Sequence, residues 1–214
     1  MQYEKERQAL IDTARAMERA GLVRLSGGNV SMRMPCGGYL VTPSAMGYDT
    51  MVPEDIVLID DDGHTLEGFR RPTSDWKAIC YIFRHMPEVN VILHTHQCAA
   101  TSLSLIADEL PVISTTMVDE IKDTVAVAPF TISSDEGMGI STVDHIGKAL
   151  AVILKNHGVI AVGKNIDQAL SAAIYLEESC EVYLKALATG RSIVPLTREQ
   201  IEAEDAPRGF YGQP

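Results

Sequence analysis

An apolar run that ends in two histidines is the feature of this chain that most constrains its fold. Residues 89–93 read Val-Asn-Val-Ile-Leu, and His94, Thr95 and His96 follow directly. Such a run is typical of a buried β-strand. Side chains two positions apart on a strand point to the same face. We therefore expect both imidazoles on one side of the end of a buried strand.

A third histidine, His157, comes shortly after another strand-like apolar run at 151–154. A pair such as His94 and His96 is, by itself, more often a polar strand end than a metal site. Three imidazoles, however, suit a catalytic Zn²⁺, which accepts nitrogen ligands and leaves a coordination position open for water or substrate. The residues thus indicate a metalloenzyme, although spacing alone does not prove that His157 joins the pair.

Length and composition favour a single domain that spans residues 1–214. At 214 residues and 46% hydrophobic content, the chain can bury a full core. We find no apolar stretch of membrane-spanning length and no secretory signal pattern at the N-terminus, so we expect a cytoplasmic protein. A reducing compartment also suits the scattered cysteines, which are Cys36, Cys80, Cys98 and Cys180.

The chain is acidic, with 29 Asp and Glu against 18 Lys and Arg and a net charge of −11. This charge repels nucleic acids and anionic membrane surfaces, so neither is an expected partner. An anionic substrate must therefore be bound by local groups. Residues 26–29 (Ser-Gly-Gly-Asn) offer accessible backbone N–H groups, and Thr73-Ser74 precedes a predicted helix. Both segments could bind phosphate, but both are also ordinary turn and cap sequences.

Periodicity predicts alternating helices and strands, and hence a sheet covered by helices. Thr73 or Ser74 is the expected cap of the second helix. The predicted strands are 29–34, 39–42, 56–59, 89–93, 111–116, 124–128, 151–154 and 159–163, and the predicted helices are 5–20, 74–84, 98–106, 143–149 and 167–187.

Five short motifs, taken in order and spacing, resemble those of the class II aldolase/adducin superfamily. They are Gly-Gly-Asn-Val-Ser at 27–31, Thr-Pro-Ser at 42–44, Pro-Thr-Ser-Asp at 72–75, His-Thr-His at 94–96 and Asn-His-Gly at 156–158. The resemblance runs from the first helix to the last residues. It implies an α/β fold, namely a single-domain three-layer αβα architecture with a central, largely antiparallel β-sheet covered by helices.

The resemblance also implies roles for individual residues. His94, His96 and His157 would bind Zn²⁺ or another divalent metal, and Asp75 would be an acidic ligand and acid/base group. Tyr211 would act near the reacting carbons. Family enzymes are homotetramers with sites between subunits, so Tyr211 and Asp119 would act on a neighbour's metal. The residues implied for the substrate phosphate are Asn29, Ser44, Thr73 and Ser74.

The function implied is that of a zinc-dependent sugar-phosphate aldolase, a lyase of carbohydrate metabolism. It would cleave a ketose phosphate similar to L-fuculose 1-phosphate reversibly into dihydroxyacetone phosphate and an aldehyde. Family 4-epimerases of L-ribulose 5-phosphate use the same retro-aldol chemistry and are the main alternative. A non-catalytic, adducin-like assembly module is a second alternative, but such a domain is expected to lose the histidines.

The choice between aldolase and epimerase rests on conflicting details. The spacing from His96 to His157 and on to Tyr211 resembles that of the compact aldolases. Against this, Asp75 stands where those aldolases have glutamate and the epimerases have aspartate. Thr42 in turn replaces a lysine that the epimerases use for phosphate. The overall layout favours the aldolase.

Overall fold

A computed structural model of the chain describes residues 1–206, so the predicted role of Tyr211 lies outside the described residues. Nine strands form one sheet within that range. They are β1 (Asn29–Arg33), β2 (Tyr39–Val41), β3 (Val57–Ile59), β4 (Thr65–Glu67), β5 (Val91–Thr95), β6 (Glu109–Leu110), β7 (Val125–Ala128), β8 (Ala151–Leu154) and β9 (Gly158–Gly163).

The strand order is β4-β3-β2-β1-β5-β9-β8-β7-β6, and only β7 and β8 pair in parallel. The helices are α1 (Glu4–Arg19), α2 (Trp76–His85), α3 (Cys98–Ser104), α4 (Thr115–Glu120), α5 (Glu136–His145), α6 (Ile166–Leu187) and α7 (Arg198–Glu204). The predicted α/β class with a largely antiparallel, helix-covered sheet is confirmed.

Both faces of the central strands are buried, because successive strand side chains pack into different hydrophobic clusters. On β5, Val91 and Leu93 join the cluster that includes α1, α3, α4 and α6, whereas Ile92 joins the cluster of α2 and α5. The same alternation continues on β1, where Val30 packs with the first cluster. His94 therefore shares the α2 and α5 face with Ile92, and so does Asn29, which pairs with His94 across the two strands.

Two predicted elements are wrong. Residues 111–116 were expected as a strand, but the Ser114 hydroxyl accepts a hydrogen bond from the Met117 N–H and begins α4 at Thr115. Of the helix expected at 143–149, only 143–145 are helical, and they end α5, which begins at Glu136 after an Asp135 cap. Strands β4 and β6 and helix α7 were not predicted at all. No helix within residues 1–206 has the length and apolar character needed to span a membrane.

Candidate metal and phosphate site

The three histidines converge at one end of the central strands. His94 lies near the end of β5, His96 follows that strand, and His157 lies in the tight turn between β8 and β9. The Nε2 atoms of His94 and His96 are 3.1 Å apart. The potential ligand atoms of the three rings all lie within 4.8 Å of one another. The structure thus brings together the imidazoles that the sequence could only suggest.

The buried ring of His94 is oriented by the backbone of β9. Its Nδ1 lies 3.0 Å from the carbonyl oxygen of Val159. A carbonyl can only accept a hydrogen bond, so Nδ1 carries the proton and Nε2 keeps its lone pair. That lone pair is on the nitrogen that faces His96. A backbone carbonyl that fixes the ring of a metal-binding histidine in this way is a common arrangement.

Burial favours the neutral form of all three imidazoles, which is the form that metal binding requires. Burial is the largest cause and lowers the pKa of His94, His96 and His157 below the usual range. The negative charge of Asp75 opposes this shift at each ring. His94 is buried, His157 is half-buried and His96 is exposed, so the cluster is open on one side. Imidazole nitrogens this close together fit a divalent cation of the zinc type.

Two glycines allow the backbone to pack closely around the histidine strand. A Cβ on Gly28, which has a φ of +75°, would overlap the carbonyl oxygen of His94. A Cβ on Gly158 would overlap the carbonyl oxygen of Thr95. The glycines of the Gly-Gly-Asn and Asn-His-Gly motifs are therefore needed for close packing against the end of β5, one on each side of that strand.

Asp75 brings a carboxylate to the edge of the histidine cluster. Its Oδ2 accepts a hydrogen bond of 2.7 Å from the Asn29 amide and lies 3.9 Å from His94 Nε2. The Ser134 hydroxyl donates to Oδ1 at 3.4 Å. Asp75 also occupies the N-cap position of α2, but its side chain makes no capping bond. The predicted cap at Thr73 or Ser74 is wrong, and the carboxylate at the cap faces the site instead.

A cavity of about 250 Å³ opens in front of these groups. Two of the sequence motifs reach it together, because the Ser44 N–H donates to the Arg71 carbonyl and the Thr73 N–H donates to the Thr42 carbonyl, each at 3.0 Å. The lining residues are Ser26, Gly27, Gly28, Pro43, Ser44, Ala45, Thr73, Ser74, Asp75, His94, His96, Ser133, Ser134 and His157. Hydroxyl groups and a glycine loop thus share this cavity with the three imidazoles.

Several loops around the cavity hold non-glycine residues at left-handed φ. They include Leu25 (55°), Ala45 (55°), Ser134 (65°) and Asn156 (59°). Each lines the cavity or directly precedes a residue that does. Such conformations cost free energy and are concentrated at functional sites, where surrounding packing maintains them.

The start of α3, directly after the histidine pair, is fixed by α6. The Glu177 carboxylate accepts hydrogen bonds from the N–H groups of Ala99 at 2.8 Å and Ala100 at 3.1 Å. Gln97 in turn donates from its amide to a backbone carbonyl of α6. These bonds satisfy N–H groups of the first turn of α3 and hold the chain on the far side of His96.

The predicted site residues occupy different places around this cavity. Ser44, Thr73 and Ser74 line it, whereas Asn29 is buried behind it with its amide nitrogen bonded to Asp75. The Asn29 Oδ1 atom is buried and has no hydrogen-bond partner among the described residues. Asp119 lies on α4, which packs against α6 and α7, and does not line the cavity in the described part of the chain.

Ser133 and Ser134 were not predicted from the sequence. They belong to the Ser-Ser-Asp-Glu segment that leads into α5. That pattern indicates the start of a helix. Overlooking it explains both errors, the late start predicted for α5 and the absence of Ser133 and Ser134 from the predicted site. Recognition of the α5 N-terminus would have pointed to this loop.

Comparison with known proteins places this site in a family. The family profile described as Class II Aldolase and Adducin N-terminal domain matches residues 8–184. The chain belongs to this family. Among curated members, it is 32% identical over 205 residues to the L-fuculose phosphate aldolase of Haemophilus influenzae, covering 96% of this chain and 94% of that protein.

Further relatives support the same assignment. The chain is 28% identical over 216 residues to the 5-deoxy-D-ribulose 1-phosphate aldolase of Bacillus thuringiensis, covering 100% of both proteins. Among solved structures, an L-fuculose 1-phosphate aldolase superposes with a TM-score of 0.90 at 25% identity, covering 96% of each chain. The class II aldolase/adducin resemblance of the five motifs is therefore confirmed.

Proposed function

We propose that this class II aldolase family member cleaves a ketose 1-phosphate into dihydroxyacetone phosphate and an aldehyde, with zinc as its metal. The observation that carries the proposal is the convergence of His94, His96 and His157 beside Asp75 and a hydroxyl-lined cavity. Relatives named for L-fuculose phosphate and 5-deoxy-D-ribulose 1-phosphate support a sugar-phosphate substrate.

In this reaction the C3–C4 bond of the ketose breaks, and its electron pair remains on the dihydroxyacetone phosphate fragment as an enediolate. When bound to the three imidazoles, a divalent ion supplies a Lewis acid that stabilises this negative charge by several kcal/mol. In the direction of sugar synthesis, Asp75 would accept the proton from C3 of dihydroxyacetone phosphate, and Tyr211 would donate a proton to the aldehyde oxygen, which becomes the C4 hydroxyl; cleavage reverses both transfers.

The hydroxyl groups and the glycine loop that line the cavity would hold the phosphate. Ser44, Thr73 and Ser74 offer hydroxyl donors, and the glycine loop at 26–28 offers backbone groups. The net charge of −11 opposes an anionic substrate at long range. Local donors must therefore provide both the affinity and the orientation of the substrate. Asn29 would contribute through the position of Asp75.

A direct assay separates the candidate functions. We would incubate the zinc-loaded protein with L-fuculose 1-phosphate, L-rhamnulose 1-phosphate, 5-deoxy-D-ribulose 1-phosphate and L-ribulose 5-phosphate, and measure dihydroxyacetone phosphate with a coupled dehydrogenase. We expect triose from at least one 1-phosphate, abolished by a chelator and restored by added metal. An epimer of L-ribulose 5-phosphate without triose would instead identify an epimerase. No turnover together with no stoichiometric metal would identify an assembly module.

We also propose that the protein is a homotetramer whose active sites lie between subunits, and that it is located in the cytoplasm. In that arrangement Asp119 and Tyr211 of one subunit would serve the histidines of a neighbour. The position of Asp119 away from the cavity of its own chain supports this arrangement. Light scattering coupled to gel filtration would measure the assembly, and a monomer in solution would contradict it.

Tyr211→Phe is expected to lower turnover by about 10²-fold, because it removes a hydroxyl that exchanges a proton with the substrate. Metal content should remain that of the wild type. The variant also tests the assembly: mixing it with an inactive His94→Ala variant should restore partial activity, since mixed tetramers contain some complete sites. Loss of metal from Tyr211→Phe would show that this tyrosine is wrongly assigned.

A further inference from the structure

The buried hydroxyl of Tyr48 connects two segments that line the cavity. Tyr48 is 2% exposed, and its hydroxyl donates to the carbonyl oxygens of Gly27 at 3.0 Å and Gly28 at 2.9 Å. Tyr48 itself is not a lining residue, but it begins a 3-10 helix three residues after Ala45, which is. One side chain outside the cavity thus joins the glycine loop to the segment that follows Ser44 and Ala45.

Tyr48 is in turn anchored to α1. The Arg15 guanidinium donates from Nε to the Tyr48 carbonyl at 3.1 Å, and from Nη2 to the carbonyls of Asp49 at 3.2 Å and Met51 at 3.1 Å. The aromatic ring packs in the hydrophobic cluster on the α1 side of the sheet. These contacts fix the position from which the hydroxyl reaches the glycine loop.

The Tyr48 hydroxyl is a donor to two carbonyl oxygens, and burial favours its protonated form. Burial, reinforced by the charge of Glu18, raises the pKa of Tyr48 well above its usual range. The proton therefore remains on the oxygen, and the two glycine carbonyls share it. Loss of the hydroxyl would leave two part-buried carbonyl groups without this partner, which costs more than the bond alone is worth.

The direction of these carbonyls sets the direction of an N–H group. In a trans peptide the N–H points opposite to the C=O, and the described residues contain no cis peptide bonds. Because the Gly27 carbonyl points to Tyr48, the N–H of Gly28 points away from Tyr48. Gly28 lines the cavity, whereas Tyr48 is buried and does not line it.

We propose that Tyr48 is a positioning residue for phosphate binding, which holds the Gly27–Gly28 peptide with its N–H directed into the cavity. The proposal rests on the proposed function only for the identity of the anion. It assigns Tyr48 no contact with the substrate and no part in bond cleavage. Its removal should therefore change the affinity for phosphate and leave the chemical step and the metal site intact.

The test compares Tyr48→Phe with Tyr39→Phe in the zinc-loaded protein. Tyr39 is a matched control because it is also buried, at 3% exposed. Its hydroxyl donates a part-buried hydrogen bond to the Asp61 carboxylate. Calorimetric titration with inorganic phosphate should show about tenfold weaker binding for Tyr48→Phe, which corresponds to the loss of one oriented hydrogen bond. Binding by Tyr39→Phe should equal that of the wild type.

The kinetic parameters should divide in the same way. We expect Tyr48→Phe to raise KM by about tenfold and to keep kcat within about twofold of the wild type. This pattern indicates the loss of an interaction that stabilises the bound substrate and the transition state equally. Unchanged phosphate affinity in Tyr48→Phe would overturn the proposal. So would an equal loss in both variants, because that would show a general effect of removing a buried hydroxyl.

A second measurement remains informative if Tyr48→Phe does not fold. In the wild-type protein labelled with ¹⁵N, phosphate titration should shift the Gly28 amide resonance among the largest changes observed. An unmoved Gly28 resonance at saturating phosphate would overturn the proposal. Neither titration requires turnover, so the two proposals can fail separately. If the protein binds phosphate through Gly28 but cleaves no sugar phosphate, the proposed function is refuted and the inference about Tyr48 still stands.

Discussion

Replacement of His94 by alanine is expected to remove the metal and reduce sugar-phosphate cleavage by at least about 10³-fold, since a Lewis acid contributes several kcal/mol and each 1.36 kcal/mol is tenfold in rate. His94 is the most buried of the three imidazoles, and its ring is fixed by Val159. The zinc content, measured by mass spectrometry, should fall from one ion per chain to nearly none. The coupled triose assay measures the accompanying loss of turnover.

The control for this variant is His64→Ala. His64 belongs to the other group of possible metal ligands among the described residues, an exposed turn with Asp60 and Asp62. That variant should retain metal and activity. If zinc is lost from His64→Ala and retained by His94→Ala, the metal site has been placed at the wrong end of the molecule, and the proposed chemistry would have no support.

Asp75→Asn is expected to lower turnover by about 10²- to 10⁴-fold, the usual contribution of a positioned acid/base group. Asparagine has the same shape and can still accept a bond from Asn29 through its carbonyl oxygen. The change therefore removes charge and basicity without opening a cavity. Metal affinity, measured by competition with a chelating dye, should weaken by about 10- to 100-fold as the neighbouring negative charge is lost.

Asp75→Glu provides the matched comparison, because it keeps the charge and adds one methylene. We expect it to bind zinc at least as well as the wild type, while the longer side chain displaces the bonds from Asn29 and Ser134.

Turnover of Asp75→Asn within about threefold of the wild type would exclude this carboxylate as the proton carrier. The proton would then have to be moved by another group in the cavity.

The sequence predicted the central part of the fold well because that part is governed by hydrophobic periodicity. Strands β5, β8 and β9 are apolar on both faces, and α1 and α6 follow a helical period, so their limits agree with the structure within two residues. The pattern was least informative where local hydrogen bonds decide the structure. Ser114 begins a helix inside a run of β-branched residues, and a periodic signal does not detect such a cap.

The site shows the same division. The histidines could be proposed because the residue type and the strand end are both visible in the sequence. The meeting of Ser44 with Thr73 was implied only by the family resemblance, because it depends on backbone bonds between segments at 42–44 and 71–73 that no local pattern encodes. Ser134 and Tyr48 act through tertiary hydrogen bonds to Asp75 and the glycine loop, and long-range partners of this kind emerge only from the folded chain.

Anomalous diffraction at the zinc absorption edge, from crystals of the zinc-loaded protein, tests the central claim most directly. The account predicts one strong peak per chain, about 2.0–2.1 Å from a ring nitrogen of each of His94, His96 and His157. A peak at the Asp60 turn alone, or no peak among the three rings at full zinc occupancy, would contradict it.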